Sequence, residues 1–342
     1  MENLRVVITQ KETAVLQPYT VPESAPQAGE LLIRTECSFI SAGTELSIFT
    51  GNDPGTVTPG AWCQWPWAAG YGNVGIVEKV GEGVDDFETG DRVFSFGPHA
   101  TRHLYESHDP FRMIAKVAPE VTSVRAAASR MAHVALTALD LSSQGYNRWV
   151  AVWGLGMVGN LSAQQFQIAG NRVIGVDPSP VRRELALKCG IPYAIGGTND
   201  EVREQIRDIT GRGADITVDA VGHSAICEQA LLSTADFGEL IILGTPRVPY
   251  QGDFNTIFNP THRRWITIKG GLEWRIPARG QMPYDHSQVK KHEALMAWLA
   301  DGRLKIDPLI THVLPPTEIQ TAYEGLLHKK DEYIGVVLDW AG

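Results

Sequence analysis

The segment Gly154-Leu155-Gly156-Met157-Val158-Gly159 directly follows the apolar run VAVW and opens a helical stretch, NLSAQQFQIAG. Strand, glycine turn and helix in that order are what a dinucleotide site needs. The first glycine permits the tight turn, the second lets backbone approach a pyrophosphate, and the third lets helix pack closely on strand, with the helix N-terminal amides aimed at phosphate. The next apolar run, RVIGVD, ends in Asp177, roughly 20 residues after the first glycine, where a carboxylate takes the adenosine ribose hydroxyls. The same charge repels a ribose 2′-phosphate, so the expected cofactor is NAD rather than NADP. Arg182 and Arg183 follow within helical texture and read as solvated surface positions. Asp219-Ala220-Val221-Gly222 and Gly244-Thr245-Pro246 end later strands. Val221, Gly244 and Thr245 therefore fall at the carboxyl edge where open α/β sheets bind ligands; ordinary strand-ending turns account for them equally well.

The elements that position these residues change texture along the chain. In the first third, LRVVITQ, LLIRTECSFI, VGIVEKVG, DRVFSFG and MIAKVAP are short β-branched or aromatic runs bounded by Gly, Pro, Asp and Glu, a spacing that suits a small barrel. VRAAASRMAHVALTALDLSS then reads as one connector helix of about 20 residues. After Trp149, strands and helices alternate as far as TIKGG, which implies an α/β fold with a parallel sheet covered by helices on both faces. The tail carries two helical runs, VKKHEALMAWLADG and PTEIQTAYEGLLHKK, and a closing strand, IGVVLDW. That strand is too short and too apolar to stand alone and is expected to fold back onto the N-terminal barrel. Residues 1–122, completed by 288–342, then form a discontinuous substrate domain, and residues 123–287, with the connector helix, form the dinucleotide domain.

With 342 residues, 43% hydrophobic and 20% charged, the chain can bury a sizeable core and suits two domains. A net charge of −9 without clustered Lys and Arg disfavours nucleic acid and anionic membrane surfaces as partners. No apolar stretch approaches about 18 residues, and the start, MENLRVVITQKE, has no secretory pattern, so the cytoplasm is expected. Cys37, Cys63, Cys189 and Cys227 lie far apart without a CxxC and read as small core residues rather than a disulfide or zinc framework. His99, His103 and His108 share no helix face, so their spacing does not suggest a metal site.

In element order, glycine motif, the DAVG turn and the returning C-terminus, the sequence resembles the medium-chain dehydrogenase/reductase superfamily, the zinc alcohol dehydrogenase-like proteins, over essentially its whole length. The resemblance implies a GroES-like β-barrel substrate domain plus a Rossmann doubly wound parallel sheet, with a cleft between them. It also implies a dimer or tetramer assembled through the Rossmann sheet edge, of which a homodimer is expected. Zinc members carry Cys-Gly-Thr-Asp and Gly-His-Glu motifs, to which Ala42-Gly43-Thr44-Glu45 and Gly70-Tyr71-Gly72 correspond here. Ala42 thus stands where Cys binds metal, Tyr71 where His does, and Gly72 replaces the acid, while the third ligand region shows Met131, Ala132 and His133. A catalytic zinc needs three Cys, His or carboxylate donors, so no metal is expected. The runs SFISAGTE and GYGNVGIV resemble a zinc-free branch related to the bacteriochlorophyllide hydroxyethyl dehydrogenase-like oxidoreductases.

By that resemblance the chemistry is hydride transfer between NAD and a small-molecule secondary alcohol or ketone, on a sugar, cyclitol or polyol-like substrate. Without zinc another group must handle the hydroxyl proton. Thr44 matches the relaying hydroxyl of zinc relatives, Tyr71 holds a former ligand position, and His133 titrates in the range of a base. Against these roles, Thr44 can cap a short helix, Tyr71 can line a wall, and His133 can be a satisfied core histidine. Trp62, Trp65 and Trp67 beside Tyr71 offer stacking faces for a ring-shaped ligand, or a hydrophobic plug that orders a loop. Two other readings stand beside this one: an NAD(P)H-dependent enone or quinone reductase, against which Asp177 counts, and a catalytically silent nucleotide-binding protein.

Overall fold

The computed structural model describes residues 2–22, 26–280 and 286–341. The chain divides into two compact units, one formed by residues 1–130, 274–302 and 310–342, the other by residues 131–273 and 303–309. In chain order the elements are β1 Leu4–Gln10, β2 Thr13–Pro18, β3 Glu30–Phe39, α1 Ala42–Phe49, β4 Trp67–Ala68, β5 Asn73–Val80, β6 Arg92–Ser95, β7 Arg102–Glu106, β8 Ile114–Lys116 and the connector helix α2 Ser123–Leu141. The alternating region follows as β9 Trp149–Trp153, α3 Met157–Ile168, β10 Arg172–Val176, α4 Pro180–Lys188, β11 Tyr193–Ile195, α5 Asn199–Thr210, β12 Ala214–Asp219, α6 Ser224–Ser233, β13 Thr234–Ile242, α7 Asn255–Arg264 and β14 Thr267–Gly270. The tail is α8 Gln288–Ala300, β15 His312–Leu314, α9 Ile319–His328 and β16 Val336–Asp339.

The second unit is a parallel sheet of order β11-β10-β9-β12-β13-β14. Strand side chains alternate between faces, and β9 shows why both are covered. Val150 and Val152 pack with Phe166 of α3 and Ala138 of α2, whereas Ala151 and Trp153 pack with Val202 and Ile206 of α5 and Leu231 of α6. The strand order reverses between β9 and β12, the point at which such sheets open a ligand crevice at the carboxyl ends. In the first unit, β16 returns to pair antiparallel with β3, Leu338 against Ser38, so the closing strand completes the N-terminal barrel sheet. Apolar clusters fill this unit, one around Leu31, Ile33, Val77 and Val93, another around Ile8, Ile48, Phe49, Tyr323 and Leu338.

The line between the units falls inside the connector helix rather than ahead of it at 122, because its first turns bond into the barrel. Ser123 Oγ donates to Glu36 at 2.7 Å and Arg130 Nε to the Tyr71 carbonyl at 2.9 Å. Residues just after Glu273 also join the barrel unit, through the Ala278 amide on the Pro110 carbonyl at 2.8 Å. Helix α7 has no sequence signature, since it buries no residue and contains Pro260. Among the described residues no helix is long and apolar enough to cross a membrane.

One buried ion pair ties the end of α2 to the sheet. Glu239 accepts from Ser142 Oγ at 2.6 Å, Ser143 Oγ at 2.9 Å and Lys269 Nζ at 2.6 Å. Burial pushes this carboxyl up, but Lys269 and the two serines together hold it below the ordinary carboxylate range. A lowered value stabilises the fold above the unfolded carboxyl's value of about 4.5, and that contribution disappears as pH falls through the folded value. Glu239→Gln is expected to cost about 1.5–3 kcal/mol at neutral pH, the usual worth of a charged hydrogen bond, and progressively less in acid. Denaturant midpoints of both proteins across that range check it.

Candidate functional site

The glycine turn is built as the spacing requires. Gly154 adopts φ +92°, and a Cβ on Gly159 would lie 1.8 Å from the Gly154 carbonyl oxygen, so only glycine lets α3 close on the turn. A Cβ on Gly156 would meet only Arg182 Nη1, at 3.9 Å, which leaves its backbone open to a ligand at the N-terminus of α3. Beside it lies a cavity of about 350 Å³ lined by Gly154, Gly156, Asp177, Arg182, Asn199 and Val221, among others. Asp177 is buried, its Oδ2 accepting the Leu155 amide at 2.8 Å and its Oδ1 the Ser179 amide at 2.9 Å. These two bonds tie the end of β10 to the turn after β9 and leave each oxygen a second lone-pair direction.

The other residues assigned to this site separate. Leu155 is buried in the apolar cluster under α3, and Met157 and Val158 form the first turn of that helix. Val221 is 52% exposed at the cavity, held by Asp219 Oδ1, which accepts its amide at 3.0 Å. Gly244 and Thr245 abut Gly222, where added Cβ atoms would clash, at the turn that carries Val221. The two arginines after Asp177 are not solvated surface positions. Arg183 Nη1 donates to the carbonyls of Asp177 and Pro178, both at 2.8 Å, and Arg182 Nη1 stands 3.8 Å from Asp177 Oδ2 while lining the cavity. Ser179 marks the difference: it caps α4 there, so Arg182 and Arg183 fall in the first turn of that helix.

In the barrel unit, α1 begins at Ala42 with Ser41 as its N-cap. A serine there ordinarily accepts an amide of the first turn, yet this side chain makes no capping bond. Its Oγ instead accepts from the Tyr71 hydroxyl. Thr44 lies within the helix rather than capping it, near enough to the Tyr71 phenol to favour its ionised form. Burial pushes that phenol above its ordinary value, opposed by Arg130, Ser41 and Thr44 and reinforced by Glu45.

Behind this group, Glu45 Oε1 accepts the Ser41 amide at 2.8 Å, and Oε2 accepts Tyr323 Oη at 2.6 Å and faces His99 Nε2 at 3.1 Å. His99 Nδ1 meets Ser38 Oγ at 2.8 Å, which also accepts from Trp340 Nε1 at 2.8 Å. A neutral imidazole satisfies this set with its proton on Nε2 and the Ser38 hydroxyl donating to Nδ1. Ser41, Glu45 and His99 carry no sequence motif that points to such a network.

The residues present do not suit a catalytic zinc. Ala42 has no donor, burial favours the neutral form of the Tyr71 phenol, which is not among the Cys, His and carboxylate donors of such a site, and the place of an acid at Gly72 is filled by the Arg130 side chain, whose Cγ would be 2.7 Å from an added Cβ. Among the described residues no group of three His, Cys, Asp or Glu side chains could hold a metal ion. His103 is fully buried and held neutral, its value lowered by burial and by Arg112 to about 3. His133 is also fully buried, on the second unit's part of α2. Of the tryptophans, Trp65 and Trp67 pack on the apolar cluster of the first unit, and Trp62 is 65% exposed.

Comparison with known proteins agrees with this architecture. Residues 27–109 match the family described as alcohol dehydrogenase GroES-like domain, and residues 157–277 match zinc-binding dehydrogenase. An L-threonine 3-dehydrogenase of Coxiella burnetii is 24% identical, covering 98% of this chain and 99% of its own. An erythritol/L-threitol dehydrogenase of Mycolicibacterium smegmatis is 25% identical, covering 89% of each chain. The crystal structure of an Escherichia coli oxidoreductase/dehydrogenase of unknown specificity superposes with a TM-score of 0.83 at 20% identity, over 99% of each chain.

Proposed function

Because the chain belongs to the medium-chain dehydrogenase/reductase superfamily and is an alcohol dehydrogenase-like oxidoreductase acting on alcohols, we propose that it interconverts a secondary alcohol and its ketone with NAD and without zinc. The observation that carries this reading is the glycine turn with Asp177 buried at its side, a cradle for a dinucleotide that carries no 2′-phosphate. NAD, when bound, supplies the hydride acceptor in oxidation and its reduced form the donor in reduction. The Gly156 backbone and the α3 amides hold the pyrophosphate, and the Asp177 carboxylate takes the ribose hydroxyls. Tyr71 and Thr44 hold the substrate oxygen, and the Tyr71 hydroxyl moves the proton. His133, fully buried on α2, is the second candidate for that step.

A sugar, cyclitol or polyol is the substrate class, supported by the erythritol/L-threitol dehydrogenase among the relatives. The test titrates the protein with NADH and NADPH and screens polyols, amino alcohols and enones at the nicotinamide absorbance band. Tighter NADH binding with polyol turnover is expected, persisting in strong chelator and without stoichiometric zinc by elemental analysis. One tightly held zinc per chain overturns the metal-free reading, and enone turnover alone overturns the alcohol reading.

The chain is further proposed to work as a homodimer through the edge strand β14. Ile268 on that strand is exposed, as are Phe237 and Trp265 beside it, their rings 5.9 Å apart, and an open apolar strand edge invites pairing with a second copy. Light scattering should give twice the chain mass, and Ile268→Arg should reduce it to one.

A further inference from the structure

Arg130 is fully exposed to no solvent and heads the largest wholly buried side chains of the molecule. Burying a guanidinium is costly unless its surroundings compensate the charge. They include the faces of Phe96, Tyr71 and Trp274, at 4.1, 4.7 and 5.6 Å from the guanidinium carbon to the ring centroids. Nε also donates to the Tyr71 carbonyl at 2.9 Å. Gly72 makes the room, since a Cβ there would stand 2.7 and 2.8 Å from Arg130 Cγ and Cβ. Tyr71 is thus gripped at its backbone and on its ring face by one cation, while its hydroxyl donates to Ser41 Oγ. An apolar side chain of equal length would fill the same space without the desolvation cost, so packing alone does not explain an arginine.

We propose that Arg130 is a positioning residue for Tyr71, fixing the phenol against Ser41 and setting a permanent positive charge over the ring whose hydroxyl moves the substrate proton. The proposal rests on the reading of Tyr71 given above. The charged and titratable groups facing Tyr71 are Arg130 from α2, Glu45 from α1, with His99 behind it, and Tyr323 from α9. Burial and Glu45 both favour the neutral phenol, and Arg130 is the largest influence against them. Removing it leaves the phenol beside a carboxylate with only two hydroxyls to support its ionised form.

The test is the ultraviolet difference titration of tyrosinate. Wild type minus Tyr71→Phe isolates the Tyr71 signal, and the same subtraction in an Arg130→Met background isolates it without the cation. The Tyr71 midpoint is expected to rise by more than one pH unit in Arg130→Met, and Arg130→Lys should recover part of that shift because it restores charge without the planar stack. Should Arg130→Met fail to fold, Gly72→Ala displaces the guanidinium without removing it and should move the midpoint in the same direction. An unchanged midpoint, or identical behaviour of the Met and Lys variants, overturns the proposal and leaves Arg130 as packing. So does the lack of any Tyr71 signal before alkaline unfolding of the wild type. Undiminished turnover in Tyr71→Phe is a separate failure, which removes Tyr71 from the reaction and is read without reference to Arg130.

Discussion

Tyr71→Phe is expected to lower turnover by about a hundred- to ten-thousandfold, the usual worth of a positioned acid or base, and to leave NADH affinity unchanged. The substitution deletes one oxygen and keeps the ring that packs against Arg130 and Trp274, at 5.8 Å between the Tyr71 and Trp274 ring centroids. The nucleotide cradle belongs to the other unit, so a drop in cofactor binding would argue for damage rather than lost chemistry. The phenol's raised value also fixes the sign of the pH dependence. At neutral pH it is protonated and ready to donate to a ketone oxygen, so reduction should slow as pH rises through its folded value. Oxidation needs the ionised form and should quicken over the same range. Both dependences should flatten in the Phe variant, and pH profiles of turnover with the alcohol and the ketone found by the screen check this. A Phe variant with full turnover demotes Tyr71 to a wall and returns attention to His133.

The parts of the molecule legible in the sequence are those where local backbone geometry imposes the residue. The Gly154 to Gly159 turn could be read because a Cβ at either end has nowhere to go, and the closing strand could be read because Val336, Val337 and Leu338 are all fully buried. The polar groups around Tyr71 could not, since they come from four elements whose meeting no periodicity encodes. Ser41 looks like a helix cap, Arg130 like one polar position among the alanines of α2, and Tyr323 like the apolar face of α9. Tyr323 takes its role only when α9 folds back and its hydroxyl donates to Glu45. Arg182 is hidden for the opposite reason: helical texture suggests solvent, yet the residue lies in the first turn after the Ser179 cap and lines the cavity.

Asp177→Ser is expected to shift the ratio of NAD to NADP affinity by roughly a hundred- to thousandfold toward NADP, and the two halves of that shift have separate causes. The carboxylate offers about four lone-pair sites, of which the Leu155 and Ser179 amides take two, so the ribose hydroxyls find the others. Hydrogen bonds to a charged group are worth about 1.5–3 kcal/mol each, and their loss, softened by water, weakens NAD by roughly ten- to a hundredfold. Removing the negative charge also ends its repulsion of the 2′-phosphate. It leaves Arg182, now 3.8 Å from Asp177 Oδ2, facing that phosphate, which should strengthen NADP by roughly tenfold. Asp177→Asn divides the two effects, because it keeps an acceptor of the same shape while losing the charge, and should gain NADP affinity with a smaller loss of NAD. Adding Arg182→Ala to the Ser variant should cancel the NADP gain without restoring NAD. Fluorescence titrations with NADH and NADPH read all of these constants, and an unchanged ratio in the Ser variant would show that Asp177 holds only the Leu155 and Ser179 amides and does not choose the cofactor.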